Sequence, residues 1–316
     1  MKLIGQKNLE MKNNIQFELW KNCTNSCDFC FNKGCPCSTK EDKIRILREV
    51  RYRLVRLNYE FYEKVGFIGG ELFGNQIEDE EVFNEFYKLF ALCVRLLQSR
   101  LIKQVNFTSN LLAEDNNKMY QILDFIKSTR LLNKFELCTS YDSKYRFKNN
   151  FNVWHENMLY IKKNYPELQT HIEILPTQDF CEKCLSGEFN YEKFKKTYQS
   201  AIDYSDLNSG FYYKDKFEME KDVPGFFPQR KTFLQWVRKG LKEHWFRVED
   251  ICNYKIFFNE LYMLDKTNHL IQYIRSGHDK QLPYGNVEQS DYIDSNVLMC
   301  EDLQTIEDKI KNLVVY

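Results

Sequence analysis

Cysteines are the residues of this sequence best suited to chemistry, and three of them form a compact run. Cys23, Cys27 and Cys30 have the spacing C-x3-C-x2-C, with the aromatic Phe29 before the last cysteine. Because most iron–sulfur clusters use four cysteine ligands, three closely spaced ones indicate a [4Fe–4S] cluster with one iron open to another ligand. A zinc ribbon is the alternative, although the histidine-poor flanks offer no obvious fourth ligand.

Two further cysteine pairs suggest a second metal. Cys35 and Cys37 follow the first run, and Cys181 and Cys184 follow the fifth predicted strand. Together they supply the four thiolates of a structural zinc or an auxiliary cluster. The alternative is that they are ordinary reduced thiols in loops. The other four cysteines stand alone, and the two late ones could replace one pair: Cys93, Cys138, Cys252 and Cys300.

A glycine cluster is the second notable feature. The chain has 12 glycines, and four of them fall between residues 66 and 74. Gly69 and Gly70 are followed by Glu71 directly after a predicted strand. Adjacent glycines let a backbone approach a ligand closely, and a carboxylate can accept hydrogen bonds from an ammonium group.

A repeating strand–helix pattern positions these motifs. Such alternation predicts an α/β fold with parallel strands and right-handed crossovers, so that the carboxyl ends of the strands carry the site. Six units favour an open, partial (β/α)6 barrel over a complete one. The predicted strands lie at 15–19, 65–68, 105–108, 135–139, 171–175 and 207–213, and predicted helices between them include 39–64 and 189–203.

The pattern changes after Pro224 and Pro228. One helix is expected near 229–242, with strands near 254–264 and 270–274 and a final helix near 301–313. We therefore predict two domains, a barrel over 1–223 and an α+β extension over 224–316.

The two motifs together resemble those of the radical S-adenosylmethionine (SAM) superfamily. That family carries a C-x3-C-x-aromatic-C run after the first strand and a Gly-Gly-Glu segment after the second. The resemblance implies a [4Fe–4S] cluster on Cys23, Cys27 and Cys30, and SAM held through Gly69–Glu71. The extension is similar to auxiliary domains of peptide-modifying members, but it lacks most of their cysteines and would be a degenerate version.

The resemblance also implies further cofactor contacts at the ends of later strands. Ribose and carboxylate contacts are expected after the third and fourth strands, and an adenine contact at the fifth. The alternative is that these residues form turns or plain core. No catalytic residue is assigned. The implied cofactor-binding residues are Phe29, Ser109, Asn110, Ser140, Asp142, Arg146 and Ile174.

The implied activity is reductive cleavage of SAM, with an electron from an external donor, to give a 5′-deoxyadenosyl radical that abstracts hydrogen from a substrate. A peptide or protein substrate is favoured narrowly, and a nucleoside or other small molecule is the alternative. A third hypothesis is a non-catalytic, metal-stabilised binding protein, which would not need a SAM pocket.

The composition disfavours two classes of partner, nucleic acids and membranes. The 316 residues include 45 Lys or Arg and 45 Asp or Glu, so the formal net charge is zero. This balance excludes a broad basic surface and disfavours a large nucleic acid. No apolar run approaches the roughly 20 residues that span a bilayer, and no signal peptide is evident at the N-terminus. We expect a cytoplasmic protein without membrane association, in which eleven cysteines favour metal ligation over disulfides.

Overall fold

The strands of this α/β protein form one sheet. The computed structural model describes residues 13–25, 27, 29–30, 32, 35–57, 62–142, 144–148, 150–204, 223–245, 260–264 and 268–274. Within this part of the chain, the strands are β1 (Asn13–Glu18), β2 (Tyr62–Ile68), β3 (Gln104–Thr108), β4 (Phe135–Tyr141), β5 (Gln169–Ile174), β6 (Ala201–Tyr204), β7 (Glu260–Leu264) and β8 (Leu270–Ile274).

Helices connect most of these strands. The described helices are α1 (Lys40–Val55), α2 (Glu80–Gln98), α3 (Asn117–Ser128), α4 (Phe151–Asn164), α5 (Gln178–Ser186), α6 (Tyr191–Tyr198) and α7 (Arg230–Lys242), with short 3-10 turns at Gly74–Ile77 and Leu132–Lys134. None of these described helices has both the length and the apolar composition needed to cross a membrane.

The strand order is β6-β5-β4-β3-β2-β1-β7-β8. Strands β1 to β5 each pair in parallel with the next strand along the chain, and β7 adds in parallel to the other side of β1. Only the last described pair, β7 and β8, is antiparallel. The predicted α/β class and parallel sheet are confirmed, and the carboxyl ends of β1 to β6 meet at one edge.

The two faces of the sheet differ in polarity. Phe90 of α2 packs against Phe67, Phe107 and Phe135 at centroid distances of 5.9, 5.6 and 6.2 Å, so this face carries the apolar core. Residues alternate along each strand, and in-register partners share a face. The opposite face is consequently polar over β1 to β5, with Gln16, Lys64, Gln104, Asn106, Glu136, Cys138 and His171 on it.

The sixth strand lies earlier than the sequence pattern predicts. The helix expected over 189–203 ends at Tyr198, because Gln199 takes a left-handed conformation with φ of 47° and donates its N–H to the Lys195 carbonyl at 2.9 Å. Strand β6 then starts at Ala201. The prediction of a strand over 207–213 concerns residues outside the described part of the chain.

The region after residue 223 contributes to the same sheet. Its predicted helix and the strand near 270–274 are present as α7 and β8, and the described end of the strand predicted near 254–264 is β7. The predicted final helix near 301–313 lies outside the described residues. Whether 224–316 is a domain of its own remains a prediction.

Candidate functional site

The cysteine run and the glycine segment lie in the loops after two neighbouring strands, β1 and β2. The Gly70 N–H donates to the Trp20 carbonyl at 2.7 Å, and the Glu71 N–H donates to the Asn22 carbonyl at 2.8 Å. The Trp20 indole N–H donates to the Glu71 carbonyl at 2.5 Å. These three bonds fix the start of the cysteine loop, at Cys23, against the end of β2.

The glycines make this close approach feasible. A Cβ atom on Gly70 would lie 2.2 Å from the Asn22 carbonyl oxygen, and one on Gly69 would lie 2.6 Å from that of Trp20. Neither distance is sterically tolerable. The two glycines therefore make room for the backbone of Trp20 and Asn22, which is part of this chain and not a ligand.

N–H groups surround the sulfurs of the cysteine run. The Asn25 side-chain amide donates to Cys27 Sγ at 3.0 Å, and the Asn25 backbone N–H donates to Cys23 Sγ at 3.5 Å. The Asn110 side-chain amide approaches Cys23 Sγ from the loop after β3, also at 3.5 Å. Donors aimed at sulfur favour the thiolate, which is the form that ligates metals.

Burial acts against that form. It raises the pKa of Cys23 to about 11, mainly by desolvation, and it also raises the pKa of Cys30. The guanidinium of Arg146 opposes this effect at Cys30. A metal that binds here must therefore displace protons from thiols, as metal ions ordinarily do.

Arg146 and Phe29 belong to the same cluster of contacts. The Arg146 guanidinium lies 5.4 Å from the centre of the Phe29 ring, and its backbone carbonyl accepts the Asn25 amide at 2.9 Å. The Arg146 Nε is buried and has no hydrogen-bond partner within the described residues. Arg146 thus places a positive charge beside the cysteine loop.

Glu71 is the centre of a second network. Its Oε1 accepts from the Phe73 N–H at 2.9 Å and from the Ser109 hydroxyl at 2.8 Å, while Oε2 accepts from the Asn110 N–H at 2.6 Å. The carboxylate is 5 % exposed, and burial raises its pKa. Through Asn110 this network reaches Cys23. The structure therefore brings together four of the residues predicted from sequence.

The predicted contacts further along the chain have structural roles. Asp142 is buried, which raises its pKa, and it accepts backbone N–H bonds from Lys144, Tyr145 and Arg146 in the loop after β4. Ile174 is fully buried in the main core. Ser140 is half-buried and alternates with core residues along β4.

The two additional cysteine pairs differ in environment. Cys181 and Cys184 lie on α5, rather than in a loop, and both are buried in the core. Burial raises the pKa of Cys184 to about 12 and raises that of Cys181. Cys35 is half-exposed and Cys37 is exposed. No three of these four sulfurs lie within 4.8 Å of one another, so the structure does not bring them as close as a single shared zinc ion requires.

The sulfurs of Cys23, Cys27 and Cys30 are also not all within 4.8 Å of one another. Sulfurs bound to a single zinc ion at about 2.3 Å would lie about 3.8 Å apart. A cluster of several irons holds its cysteine ligands further apart than one ion does. The spacing is therefore wider than a single zinc ion would hold, and the all-sulfur donor set is the one that iron–sulfur clusters use.

Phe226 was not among the predicted site residues. It is fully buried and packs on Phe29 and Tyr145 at centroid distances of 5.1 and 5.0 Å, in a small cluster that includes Cys27. The Tyr145 hydroxyl also donates to the Gly225 carbonyl at 3.0 Å. The pair Phe226-Phe227 after Pro224 was the available signal, but it also fitted a turn before an amphipathic helix.

No protein-family model matches this chain, and no curated protein matches it. The functional assignment therefore depends on the residues themselves.

Proposed function

We propose that this protein is a radical SAM enzyme. The observation that carries the proposal is that the C-x3-C-x2-C loop after β1 is bonded directly to the Gly69–Glu71 segment after β2, through Trp20 and Asn22. The two motifs that characterise the family are therefore neighbours in space as well as in sequence order.

Cys23, Cys27 and Cys30 would hold a [4Fe–4S] cluster. When bound, the cluster supplies an electron that cleaves SAM and so starts radical chemistry on the substrate. An external electron donor is part of the proposal.

The chain's own residues prepare this site. The amides of Asn25 and Asn110 donate to cysteine sulfurs, and the Arg146 guanidinium adds positive charge. Both effects stabilise anionic sulfur in a partly buried loop. The aromatic contact between Phe29 and Phe226 covers Cys27 and excludes water from that side.

We further propose that the sheet curves into a partial (β/α)6 barrel. Two observations support this: β1 to β6 follow one another in chain order, and their apolar face is covered while the other face is polar. A polar concave face suits a substrate with many hydrogen-bonding groups. A peptide or protein in the cytosol remains the favoured substrate, with a nucleoside or other small molecule as the alternative.

A non-catalytic, metal-stabilised binding protein is the second candidate. It is favoured by the Glu71 carboxylate, which already accepts three hydrogen bonds from the chain, and by the packing role of Gly69 and Gly70. In this reading, the Gly-Gly-Glu segment serves the fold and binds no SAM.

The test is anaerobic reconstitution with iron and sulfide, followed by iron analysis, electron paramagnetic resonance of the reduced protein, and measurement of 5′-deoxyadenosine from SAM. We expect a [4Fe–4S] signal and SAM cleavage, both lost when Cys23, Cys27 or Cys30 is replaced by alanine. Cys93→Ala is the matched control, because Cys93 is buried in α2 away from the loop. A cluster without SAM binding would favour the second candidate, and full iron content in the triple variant would refute both.

A further inference from the structure

A second group of metal-binding side chains lies on the polar face of the sheet. Cys138 on β4 is the in-register partner of His171 on β5, and Glu136 lies two residues before Cys138 on the same face. Their ligand atoms, one from each residue, all lie within 4.8 Å of one another. Among the described His, Cys, Asp and Glu residues, no other three meet that distance.

The Glu136 carboxylate is already oriented. Its Oε2 accepts from Lys64 Nζ at 2.5 Å and from the Gln104 side-chain amide at 3.4 Å. Its Oε1 lies 3.8 Å from His171 Nδ1, which is too long for a hydrogen bond. Two donors on one tetrahedral zinc ion are about 3.3–3.8 Å apart, given bond lengths of about 2.0–2.3 Å. This pair thus already has nearly the separation that a shared ion requires.

We propose that Glu136, Cys138 and His171 bind one divalent ion of the zinc type. A thiolate and an imidazole select borderline or soft metals over magnesium and calcium, and a carboxylate completes a set of three protein ligands. The fourth position remains for water or a substrate group. Binding releases the thiol proton of Cys138 to solvent, because the thiolate is the ligand.

The strands favour this site because they fix the ligand backbones. Cys138 and His171 occupy adjacent strands in register, so closing the remaining gaps requires only side-chain rotation. Lys64 and Gln104 act on the far oxygen of Glu136, in the way that outer partners orient metal-bound carboxylates.

The site is separate from the cysteine loop. Cys138 precedes Asp142, the first residue of the loop after β4, by four residues, which corresponds to about 13 Å along a strand. The proposal does not depend on the proposed function, because its readout is metal binding and neither SAM cleavage nor the iron cluster enters it.

The experiment titrates the full-length chain anaerobically with Zn²⁺, and then with Co²⁺, whose thiolate charge-transfer absorption reports a sulfur ligand. The variants are Cys138→Ser and His171→Ala, and Cys37→Ser is the matched control because Cys37 is exposed and belongs to the other predicted cysteine set. We expect both variants to weaken one metal site by at least about 100-fold, more than the 10- to 100-fold loss typical of outer partners. The control should bind as the wild type does.

A second measurement uses the wild-type chain alone. Zn²⁺ should slow alkylation of the half-exposed Cys138 thiol, as read by peptide mass spectrometry. The proposal is overturned if Zn²⁺ leaves Cys138 alkylation unchanged, if Cys138→Ser binds Co²⁺ with unaltered affinity and spectrum, or if Cys37→Ser alone removes the metal. The last result would assign the ion to the four-cysteine set.

Discussion

Removing the Glu71 carboxylate tests the network that joins the loops after β2 and β3. In Glu71→Ala, the N–H groups of Phe73 and Asn110 and the hydroxyl of Ser109 all lose their acceptor. Glu71→Gln keeps one oxygen, which can still serve Phe73 and Ser109, but it turns an amide N–H₂ toward the N–H of Asn110. Glu71→Ala therefore removes three hydrogen bonds, and Glu71→Gln removes one.

The magnitude follows from the number of buried donors left unpaired. Each buried donor that loses its acceptor lowers the stability by about 1–3 kcal/mol. Part of this loss is offset, because the variant no longer has to bury a carboxylate. We expect Glu71→Ala to lower the free energy of unfolding by about 3 kcal/mol and Glu71→Gln by about 1–2 kcal/mol. Glu167→Ala, an exposed site in the turn before β5, is the control and should stay within about 0.5 kcal/mol of wild type.

The assay is urea unfolding at several pH values. Burial raises the pKa of Glu71 above its ordinary value of 4.5 in the folded chain. The folded state then holds the proton more tightly, so this contribution to stability is fully present below pH 4.5 and is lost as pH rises through the folded pKa. Glu71→Ala lacks the group. The stability difference between wild type and variant should therefore shrink as pH rises.

The reasoning is refuted if both Glu71 variants unfold within about 0.5 kcal/mol of wild type, the range expected for a surface change. It is also refuted if the stability difference between wild type and Glu71→Ala grows as pH rises from 4.5, because the pKa of Glu71 would then be lowered by folding.

Three further changes test the surroundings of the site. Gly70→Ala should abolish stable folding or lower the free energy of unfolding by more than about 3 kcal/mol, because its Cβ would lie 2.2 Å from the Asn22 carbonyl oxygen. Gly187→Ala has open space around its Cβ but a φ of 85°, so it should cost only about 1–2 kcal/mol in the same urea unfolding assay. Phe226→Ala should cost about 3–5 kcal/mol and speed alkylation of the cysteine loop, and Phe226→Leu should restore most of both. Thr39→Ala should cost about 1 kcal/mol through loss of the capping box on α1, measured by the same unfolding assay.

Sequence periodicity predicted the strands of the sheet better than it predicted the helix ends. Alternation and apolar runs located β1 to β5 within a few residues. Helix α1 was expected to reach residue 64, but it ends at Val55 because the chain must turn into β2 at Tyr62. Leu57, which continues the apolar pattern, instead packs against the core from outside the helix.

Helix α5 was missed although its boundary signals were present. The Thr177 hydroxyl accepts the Phe180 N–H at 3.3 Å, and Gly187 ends the helix with φ of 85°. The pair Cys181 and Cys184 drew attention to metal chemistry instead. Spacing of three residues also places two side chains on one face of a helix, and here that face is buried in the core.

Side-chain networks between distant segments were beyond the reach of periodicity. The Glu136, Cys138 and His171 group requires the register of β4 against β5, which no local pattern encodes. Cys138 was accordingly counted among the isolated cysteines. The same holds for Asn25, whose amide links Cys27 to the Arg146 carbonyl 121 residues away.

The Glu71 network changes how a SAM-binding defect must be interpreted. From sequence, loss of the carboxylate should weaken SAM binding and leave the cluster intact. In the structure, the same carboxylate holds the Asn110 backbone, and the Asn110 side chain donates to Cys23 Sγ. A Glu71 variant should thus disturb both SAM binding and the cluster, even if Glu71 never contacts SAM. Ser109→Ala separates the two effects, because it removes one donor and leaves the carboxylate and the Asn110 bond in place. If Ser109→Ala retains SAM affinity while Glu71→Gln loses it with full iron content, the SAM defect originates at the Glu71 carboxylate or at the Asn110 backbone that it holds, and the cluster is not its cause.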